Sequence, residues 1–387
     1  MTNSIINKFF LVLLFSIFFV KYSILINNQG VSINYLYFFF PIVTWLIKEN
    51  FFVPSAEILL ILLLYILIYF IWVLFNINSN LNINSLFSFL VFINIFIFSF
   101  IKFNKDFINI FKISVVLISV LYSLDSIITL FLNYDPSINI KNITGSQRYG
   151  FILIFAFWTL FLSKTNDSFK TVKFILLAII IIGIILTFSR ATFFSIVLTF
   201  LIFIIFFMKK KNYVFQIKNL ILFFSFLCLS IIVISLNLEI FKSIYNFYLF
   251  GFLKIINLYS LVIEDASTLE RLMIYNNIFN YIFASDNILL GSGFLGVWIL
   301  NDDLINSAHN QYLDVLFRSG FIGFLLYLWI LIRISIFLKK CDLSLFIGFV
   351  GVLVFGLFNE TFKESQGSFL LSFLLGMYSS RGKKYFK

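Results

Sequence analysis

The sequence predicts an all-α integral membrane protein, a bundle of about twelve transmembrane helices with almost no soluble domain of its own. Of its 387 residues, 61% are hydrophobic and only 12% are charged. A soluble protein of this size keeps about a quarter of its residues charged to cover its surface. The composition therefore excludes a water-soluble fold, and residues 1–387 are expected to form a single integral membrane domain.

Runs of apolar residues give the positions of the predicted spans, because a membrane-crossing helix needs on the order of 20 mostly apolar residues. Ser4 to Ile26 resembles a signal sequence, but no small-residue cleavage site follows it, so we expect it to form the first membrane helix. The stretch 174–208 is long enough for two spans, with a turn at Phe188-Ser189-Arg190. The predicted spans are 9–26, 31–47, 55–75, 84–101, 107–132, 149–163, 174–188, 190–208, 219–237, 312–338, 343–359 and 367–379.

The distribution of basic residues predicts the orientation of the chain. If the N-terminus is cytoplasmic, the inner segments carry about 17 Lys and Arg residues and the outer segments about 7. Lys209, Lys210 and Lys211 belong to one inner segment, and Lys339 and Lys340 to another. Both termini are therefore predicted to be cytoplasmic. The net charge of +11 then mainly sets the orientation of the chain among the membrane lipids. It does not indicate nucleic-acid binding.

One predicted outer segment, residues 239–311, is much longer than the others. Within it, Ser267-Thr268-Leu269-Glu270 has the form of a capping box that opens a helix. Leu272, Tyr275, Phe279 and Ile282 then recur at the spacing of one apolar helix face. This pattern predicts a short amphipathic helix that lies on the outer surface of the membrane, inside a large periplasmic loop.

Five titratable residues fall in these outer segments, mostly at helix ends, and they are Arg148, Arg190, Arg271, His309 and Glu360. Groups at one level of a helix bundle can converge on a cavity, and ionisable groups in a membrane are costly and often functional. Each also has a plain structural interpretation, as a snorkelling arginine, a hydrogen-bonded histidine or a carboxylate at a helix end. Together the three arginines indicate a phosphate or pyrophosphate ligand, because guanidinium groups bind phosphate in a bidentate manner.

No pattern in the sequence indicates a metal or a cofactor. His309 is the only histidine, and no His/Cys cluster with metal-ligand spacing is present. The sequence contains no P-loop, no dinucleotide-binding fingerprint and no Gly-x-Ser-x-Gly nucleophile elbow. Asp314 and Arg318 are four residues apart on a predicted helix and are expected to neutralise one another.

Several short motifs occur in a characteristic order between residues 186 and 323. They are Leu186-Thr187-Phe188-Ser189-Arg190-Ala191-Thr192, Arg271 before Met273-Ile274-Tyr275, Gly291-Ser292-Gly293, His309-Asn310-Gln311-Tyr312-Leu313 and Gly320-Phe321-Ile322-Gly323. In this order the chain resembles the O-antigen polymerase and O-antigen ligase superfamily of bacterial membrane glycosyltransferases. The resemblance covers about residues 145–360. At the position of Glu360, some ligases carry Asp instead.

The resemblance implies a function at the periplasmic face of the bacterial inner membrane. Such enzymes use a glycan attached to undecaprenyl pyrophosphate, without a cofactor. Arg148, Arg190 and Arg271 would stabilise the departing pyrophosphate in place of a metal. His309 or Glu360 would be the base that assists the acceptor hydroxyl. A chain-length regulator protein is a further expected partner.

Three functions remain open at this stage. A polymerase would transfer the glycan to the next lipid-linked repeat unit, and a ligase would transfer it to lipid A-core. The polymerase is favoured because the large loop is compact and the composition, with 58 Phe, is typical of AT-rich polysaccharide loci. The third function is a lipid-linked oligosaccharide flippase, but a transporter should carry charges near helix middles or repeated halves. Charges that cluster at one face favour an enzyme.

Overall fold

The structure is a computed structural model, and the part of the chain that it describes is mainly α-helical. The described residues are 23–26, 29–32, 54–75, 98–101, 103, 105–132, 149–163, 169–187, 189–207, 266–284, 288–293, 297–300, 307–362 and 365–385. The predicted span 219–237, most of the spans 9–26, 31–47 and 84–101, and Arg148 lie outside these residues.

The described elements are one β-hairpin, nine α-helices and a short 3₁₀ helix at Val297–Leu300. The strands are β1 (Ser23–Ile26) and β2 (Gln29–Ser32). The helices are α1 (Ala56–Phe75), α2 (Lys105–Leu132), α3 (Gly150–Phe161), α4 (Lys170–Leu186), α5 (Arg190–Phe207), α6 (Ala266–Ala284), α7 (Gln311–Cys341), α8 (Leu343–Phe355) and α9 (Ser365–Tyr385).

The hairpin corrects the sequence prediction for the ends of two spans. β1 and β2 pair antiparallel from Ser23 opposite Ser32 to Ile26 opposite Gln29, where the sequence predicted helix up to residue 26 and again from residue 31. β-Branched residues, among them Ile24 and Val31, favour strands. Two asparagines separate the strands in the sequence, which is the loop length of a tight hairpin and a residue type that such turns favour.

Most of the other described helices lie within a few residues of the positions of the predicted spans. α4 ends at Leu186 and α5 begins at Arg190, so the predicted break between these two helices is present. α8 is shorter than predicted and ends at Phe355, whereas α9 is longer. Two described helices, α2 and α7, are long and apolar enough to cross a membrane by length and composition. The count of about twelve spans stays a prediction.

The chain divides into two compact units. Unit 1 comprises Met1–Phe111, Ala266–Asp342 and Gly356–Lys387, and unit 2 comprises Lys112–Asp265 and Leu343–Phe355. In unit 1, α7 packs against α1 and α9, and α6 packs against α7. In unit 2, α8 packs against α3 and α5, and α3 also packs against α4.

Within unit 1, residues near 100 lie along the second half of α9. The Ser379 hydroxyl donates to the Ser99 carbonyl oxygen at 2.8 Å, and Arg381 Nε donates to the Phe103 carbonyl oxygen at 2.8 Å. Phe337 of α7 packs edge-on against Tyr378 of α9 with ring centroids 5.8 Å apart. This end of unit 1 therefore groups segments that the charge pattern assigns to the inner side of the membrane. Its sidedness itself stays a prediction.

Within unit 2, glycines allow close contact between helices. A Cβ atom at Gly351 of α8 would overlap the Ile154 side chain of α3, and one at Gly183 of α4 would overlap Ser123 of α2. The buried Trp158 indole N–H donates to the Thr199 hydroxyl at 2.9 Å. Close packing through small residues is the usual way in which membrane helices associate, because lipid gives no hydrophobic driving force between them.

Candidate active site

The site begins where α7 begins, at an asparagine cap. The Asn310 side-chain oxygen accepts hydrogen bonds from the backbone N–H groups of Tyr312 at 2.9 Å and Leu313 at 3.1 Å. A side chain in this position satisfies N–H groups that have no partner within the helix. The helix therefore starts at Gln311, one residue before the predicted span, and His309 lies just before the cap.

His309 has an unusual backbone conformation. Its φ angle is 50°, and among the described residues no other non-glycine residue has a positive φ. This left-handed region costs an L-residue about 1–2 kcal/mol unless its neighbours hold it. The His309 N–H donates to the Ser307 hydroxyl at 3.1 Å, and the side chain is half-buried. We call residues 307–311 the His309 turn.

Glu360 holds this turn from a distant part of the chain. Its carboxylate oxygen Oε1 accepts a hydrogen bond from the backbone N–H of Ala308, which is buried. The sequence predicted Glu360 at the outer end of a helix, but α8 ends at Phe355 and Glu360 lies in the loop 356–362 that follows. An ionised hydrogen-bond acceptor forms a stronger bond than a neutral one, so this contact fixes the residue next to His309 firmly.

Three more hydrogen bonds join the His309 turn to the same loop. The Asn310 side-chain amide donates to the Leu357 carbonyl oxygen at 2.9 Å. The Gln311 N–H donates to the Gly356 carbonyl oxygen at 2.8 Å, and the Gln311 side-chain oxygen accepts from the Phe362 N–H at 2.7 Å. Polar groups of two segments that lie about fifty residues apart in the sequence thus form hydrogen bonds with one another. These bonds support the strained His309 turn.

Helix α6 adds Arg271 and Tyr275 to the site. Burial raises the pKa of the half-buried Tyr275. The positive charge of Arg271 and a side-chain hydrogen bond with Asn310 act in the opposite direction, and the Glu360 carboxylate acts in the same direction as burial. Arg271 and Glu360 both shift the pKa of Tyr275, so both charges lie near this residue, beside the His309 turn. The phenol is neutral near pH 7 and able to donate a hydrogen bond.

The apolar face of α6 differs from the predicted one. The predicted helix is present, but the residues buried on it are Ile274, Ile278 and Ile282, which pack in a cluster with Val297, Ala308 and Phe317. Of the four residues predicted as the apolar face, Leu272 and Phe279 are exposed, Tyr275 is half-buried and Ile282 is buried. The spacing of four residues places the three isoleucines on one face. Through Ala308, this face supports the residue next to His309.

The Gly291-Ser292-Gly293 motif docks on a break in α7. Gly320 has a φ of 60° and a ψ of −167°, so the helix is interrupted there. The carbonyl oxygen of Phe317 accepts from the Ser292 N–H at 2.8 Å, and that of Arg318 accepts from the Gly293 N–H at 2.7 Å. The loop thus supplies donors that a continuous helix would have supplied itself. A Cβ atom at Gly320 would overlap the backbone of residue 289.

Asp314 and Arg318 form the ion pair that their spacing predicts. Arg318 Nε lies 3.0 Å from both carboxylate oxygens of Asp314, and each side chain is only 4% exposed. Removal of one partner from such a buried pair leaves an uncompensated charge, which costs about 3–5 kcal/mol. The pair therefore acts as a structural element of α7 between the His309 turn and the break at Gly320.

Arg190 belongs to unit 2, where it is the first residue of α5 and is exposed. Ser189 precedes it, and the Ser189 hydroxyl accepts from the Thr192 N–H at 3.3 Å. A cation at a helix N-terminus opposes the helix dipole, so an anion at this position would be favourable to both. The predicted turn is confirmed, whereas Arg148 lies outside the described residues.

Of the five predicted site residues, unit 1 thus brings together Arg271, His309 and Glu360. In the described part of the chain, no three His, Cys, Asp or Glu side chains lie close enough together to hold a metal ion. The absence of a metal requirement nevertheless stays a prediction.

Sequence reasoning missed three residues of the site. Tyr275 was assigned only to an apolar face, and neither Asn310 nor Gln311 was given a role. The cap could have been predicted from the sequence, because an Asn directly before a long apolar helix is a typical N-cap residue. No sequence signal links Gln311 to Phe362, since hydrogen bonds between distant segments leave no periodic pattern.

Part of the chain matches a known protein family. Residues 174–328 match the family model described as O-antigen ligase. The match confirms the resemblance to the O-antigen ligase and polymerase superfamily that the motifs predicted. No curated protein matches the chain. Members of the O-antigen ligase family are membrane enzymes of the glycosyltransferase type, and they act on lipid-linked glycans.

The matched region covers most of α4, all of α5 and α6 and the first part of α7. It therefore includes Arg190, Arg271 and His309, but neither Arg148 nor Glu360. The hydrogen bonds from the 356–362 loop to the His309 turn come from outside the matched region.

Proposed function

We propose that this protein is a polysaccharide polymerase that transfers a growing glycan from undecaprenyl pyrophosphate to the next lipid-linked repeat unit. The reaction would take place at the periplasmic face of the inner membrane, and both termini would be cytoplasmic. The observation that carries the proposal is the meeting of Arg271, Tyr275 and Glu360 with the fixed turn at His309, inside or beside the region that matches the family model.

The arginines serve the donor in this mechanism. The bond between the anomeric carbon and the pyrophosphate oxygen breaks, and negative charge develops on the pyrophosphate. A guanidinium fork placed beforehand stabilises that charge, because it costs no reorganisation during the reaction. Arg271 is assigned this role beside the His309 turn, and Arg190 at the N-terminus of α5, where the helix dipole adds to its charge. We assign Arg148 the same role from its position in the sequence alone.

His309 serves the acceptor. As the acceptor hydroxyl attacks the anomeric carbon, a neutral imidazole removes its proton, and the new glycosidic bond forms. Glu360 was predicted as an alternative base. Its carboxylate accepts the Ala308 N–H, which suits a residue that orients the neighbouring histidine. We therefore assign to His309 the role of accepting the proton of the acceptor hydroxyl. Glu360 is assigned the role of positioning the His309 turn.

The acceptor distinguishes the polymerase from a second candidate. The description of the matched family favours an O-antigen ligase, which would use lipid A-core as acceptor. The flippase alternative finds no support in that match. The outer loop that the sequence predicts to be compact favours the smaller acceptor, a lipid-linked repeat unit. A chain-length regulator is then expected to limit the product.

Reconstitution separates these functions. Purified protein in liposomes is given lipid-linked repeat units alone, or together with lipid A-core. Elongation without lipid A-core is expected, and product that requires lipid A-core would replace the polymerase with the ligase. Movement of intact lipid-linked units across the bilayer without any new glycosidic bond would refute both.

The same assay tests metal dependence. EDTA should leave the rate of elongation unchanged, because the arginines supply the positive charge at the leaving group. A rate that EDTA abolishes and Mg²⁺ restores would contradict this part of the mechanism.

A further inference from the structure

A second group of basic residues lies at the other end of α7, away from the His309 turn along the helix. Lys339 and Lys340 occupy its last turn and are exposed. Arg381 lies near the end of α9, and Arg333 lies two turns before Lys340 on α7. We call these four residues the basic end of unit 1.

Arg333 is held in place by two aromatic residues. Its guanidinium carbon lies 5.2 Å from the centre of the Trp329 ring, and its Nε donates to the Tyr378 hydroxyl at 3.0 Å. An arginine within a candidate membrane span is costly, so such residues generally mark an interaction with a partner or ligand. The contacts fix the position of the guanidinium before any ligand binds, which reduces the entropy lost on binding.

Arg381 is also held in place, by a backbone carbonyl group. Its Nε donates to the Phe103 carbonyl oxygen at 2.8 Å. In both arginines a contact through Nε anchors the side chain to the protein, whereas recognition of a phosphate uses the fork formed by the terminal nitrogens. Tyr378 binds Arg333 and lies one helical turn before Arg381, so the two guanidinium groups lie at neighbouring levels of unit 1.

An apolar surface leads to the basic end. Phe321, Leu325, Ile332 and Ile336 follow one another along α7 and are each 39–56% exposed. At 100° per residue they lie on one face, and Arg333, Lys339 and Lys340 border or end it. The stripe extends over sixteen residues, or about 22 Å of helix from the first to the last. An apolar stripe that ends in fixed cations matches a phospholipid, whose acyl chains are joined through glycerol to a phosphate.

We propose that the basic end of unit 1 binds the phosphate group of an anionic phospholipid, whose acyl chains lie along the exposed stripe of α7. Lys105 adds a fifth basic residue to this end of unit 1, because it lies two residues after Phe103, whose carbonyl oxygen binds Arg381. The adjacent acidic residues along the chain are Asp106 and Asp342, so the balance of charge favours an anion. The site is separate from the proposed glycan transfer and does not depend on it.

Native mass spectrometry of the full chain tests this proposal. Protein released from micelles that contain phosphatidylglycerol should retain this lipid, and protein from phosphatidylcholine micelles should retain little. Lys340→Gln and Arg381→Gln should each weaken retention, and Arg333→Gln should weaken it about ten-fold, the effect of one lost charged hydrogen-bond pair. Lys170→Gln is the matched control, because it removes an equal charge from an exposed residue of unit 2.

Two further measurements keep the result unambiguous. Because Arg333 also packs between aromatic rings, the exposed Lys340 provides a variant that leaves this packing intact. Thermal stabilisation by phosphatidylglycerol should fall in Lys340→Gln and persist in Lys170→Gln. Equal retention of both lipids by the wild-type protein would overturn the proposal, as would equal stabilisation by inorganic phosphate alone.

Discussion

The His309 turn of unit 1 and the helix core of unit 2 use polar residues in opposite ways. In unit 2, the hydroxyls of Ser195 and Thr199 donate to carbonyl oxygens one turn earlier in the same helix, at 2.6 and 2.7 Å. In unit 1, hydrogen bonds reach across about fifty residues, from the Ala308 N–H to Glu360 and from the Phe362 N–H to Gln311. The local bonds satisfy each hydroxyl within its own helix, whereas the distant bonds hold an irregular turn that no helix could provide.

This difference indicates where function lies. A hydroxyl satisfied within its own helix serves packing, and its loss should have a small effect. A turn that is strained, capped and supported from a distant loop is maintained at a cost, which is typical of functional sites. The following predictions test the contrast with paired variants of the two regions.

The largest effect is expected at His309. His309→Ala should lower glycan transfer about 10²–10⁴-fold, because general-base assistance has this magnitude. Ser195→Ala, which removes only a local hydroxyl, should retain near wild-type transfer. Transfer is measured with lipid-linked repeat units in liposomes.

His309→Gln distinguishes two roles of the histidine, since an amide can orient a hydroxyl but cannot accept its proton. High activity in this variant would make orientation the role and return Glu360 to the position of base. Wild-type activity in His309→Ala would show that the residue is a bystander.

Glycines should differ between the regions as well. Gly320→Ala places a Cβ atom against the backbone of residue 289 at a φ of 60°, and about 2–4 kcal/mol of stability should be lost. Gly351→Ala meets a side chain, that of Ile154, rather than backbone and has no positive φ, so it should cost less, about 1–3 kcal/mol. Thermal unfolding in detergent compares the two. A larger loss in Gly351→Ala would reverse the contrast.

Arg271→Lys should lower transfer about ten-fold, because a point charge does not reproduce bidentate phosphate binding. Arg190→Lys should also reduce transfer, although it lies in unit 2. Membrane levels of both variants should match the wild type on immunoblots. Full activity in both would leave these arginines as surface charges.

The helix cap gives a smaller effect. Asn310→Ala removes the acceptor for two N–H groups and should lower the free energy of unfolding by about 1 kcal/mol. Asn310→Asp keeps the acceptor and should retain most of this stability. If Asn310→Asp is as unstable as Asn310→Ala, the amide bond to Leu357 is the more important contact.

Tyr275→Phe should have the smallest effect on activity near neutral pH. Burial raises the pKa of Tyr275, so the folded protein holds a neutral phenol below about pH 10. The stability that depends on this neutral form is lost only as pH rises above that value. The pH profile of Tyr275→Phe should therefore match the wild type from about pH 6 to 9. A shifted profile would make the phenol a participant in proton transfer.

The sequence predicted the positions of most described helices, because apolar runs and their breaks record which residues can lie in a membrane. The turn before Arg190 was predicted because Ser and Arg interrupt an otherwise continuous apolar run. The pairing of Asp314 with Arg318 followed from helical spacing alone, and it is present at 3.0 Å. The hairpin at residues 23–32 was not predicted, because apolar β-branched residues fit both a strand and a span.

By itself, the sequence determined the helical class, the family resemblance and the candidate residues Arg271, His309 and Glu360, since each depends on local spacing or residue type. Only the tertiary structure decided what these residues contact. Glu360 binds Ala308 and Gln311 binds Phe362 because two segments about fifty residues apart meet in unit 1. The buried face of α6 likewise depends on what packs against it, since isoleucines and phenylalanines are equally apolar and periodicity does not rank them.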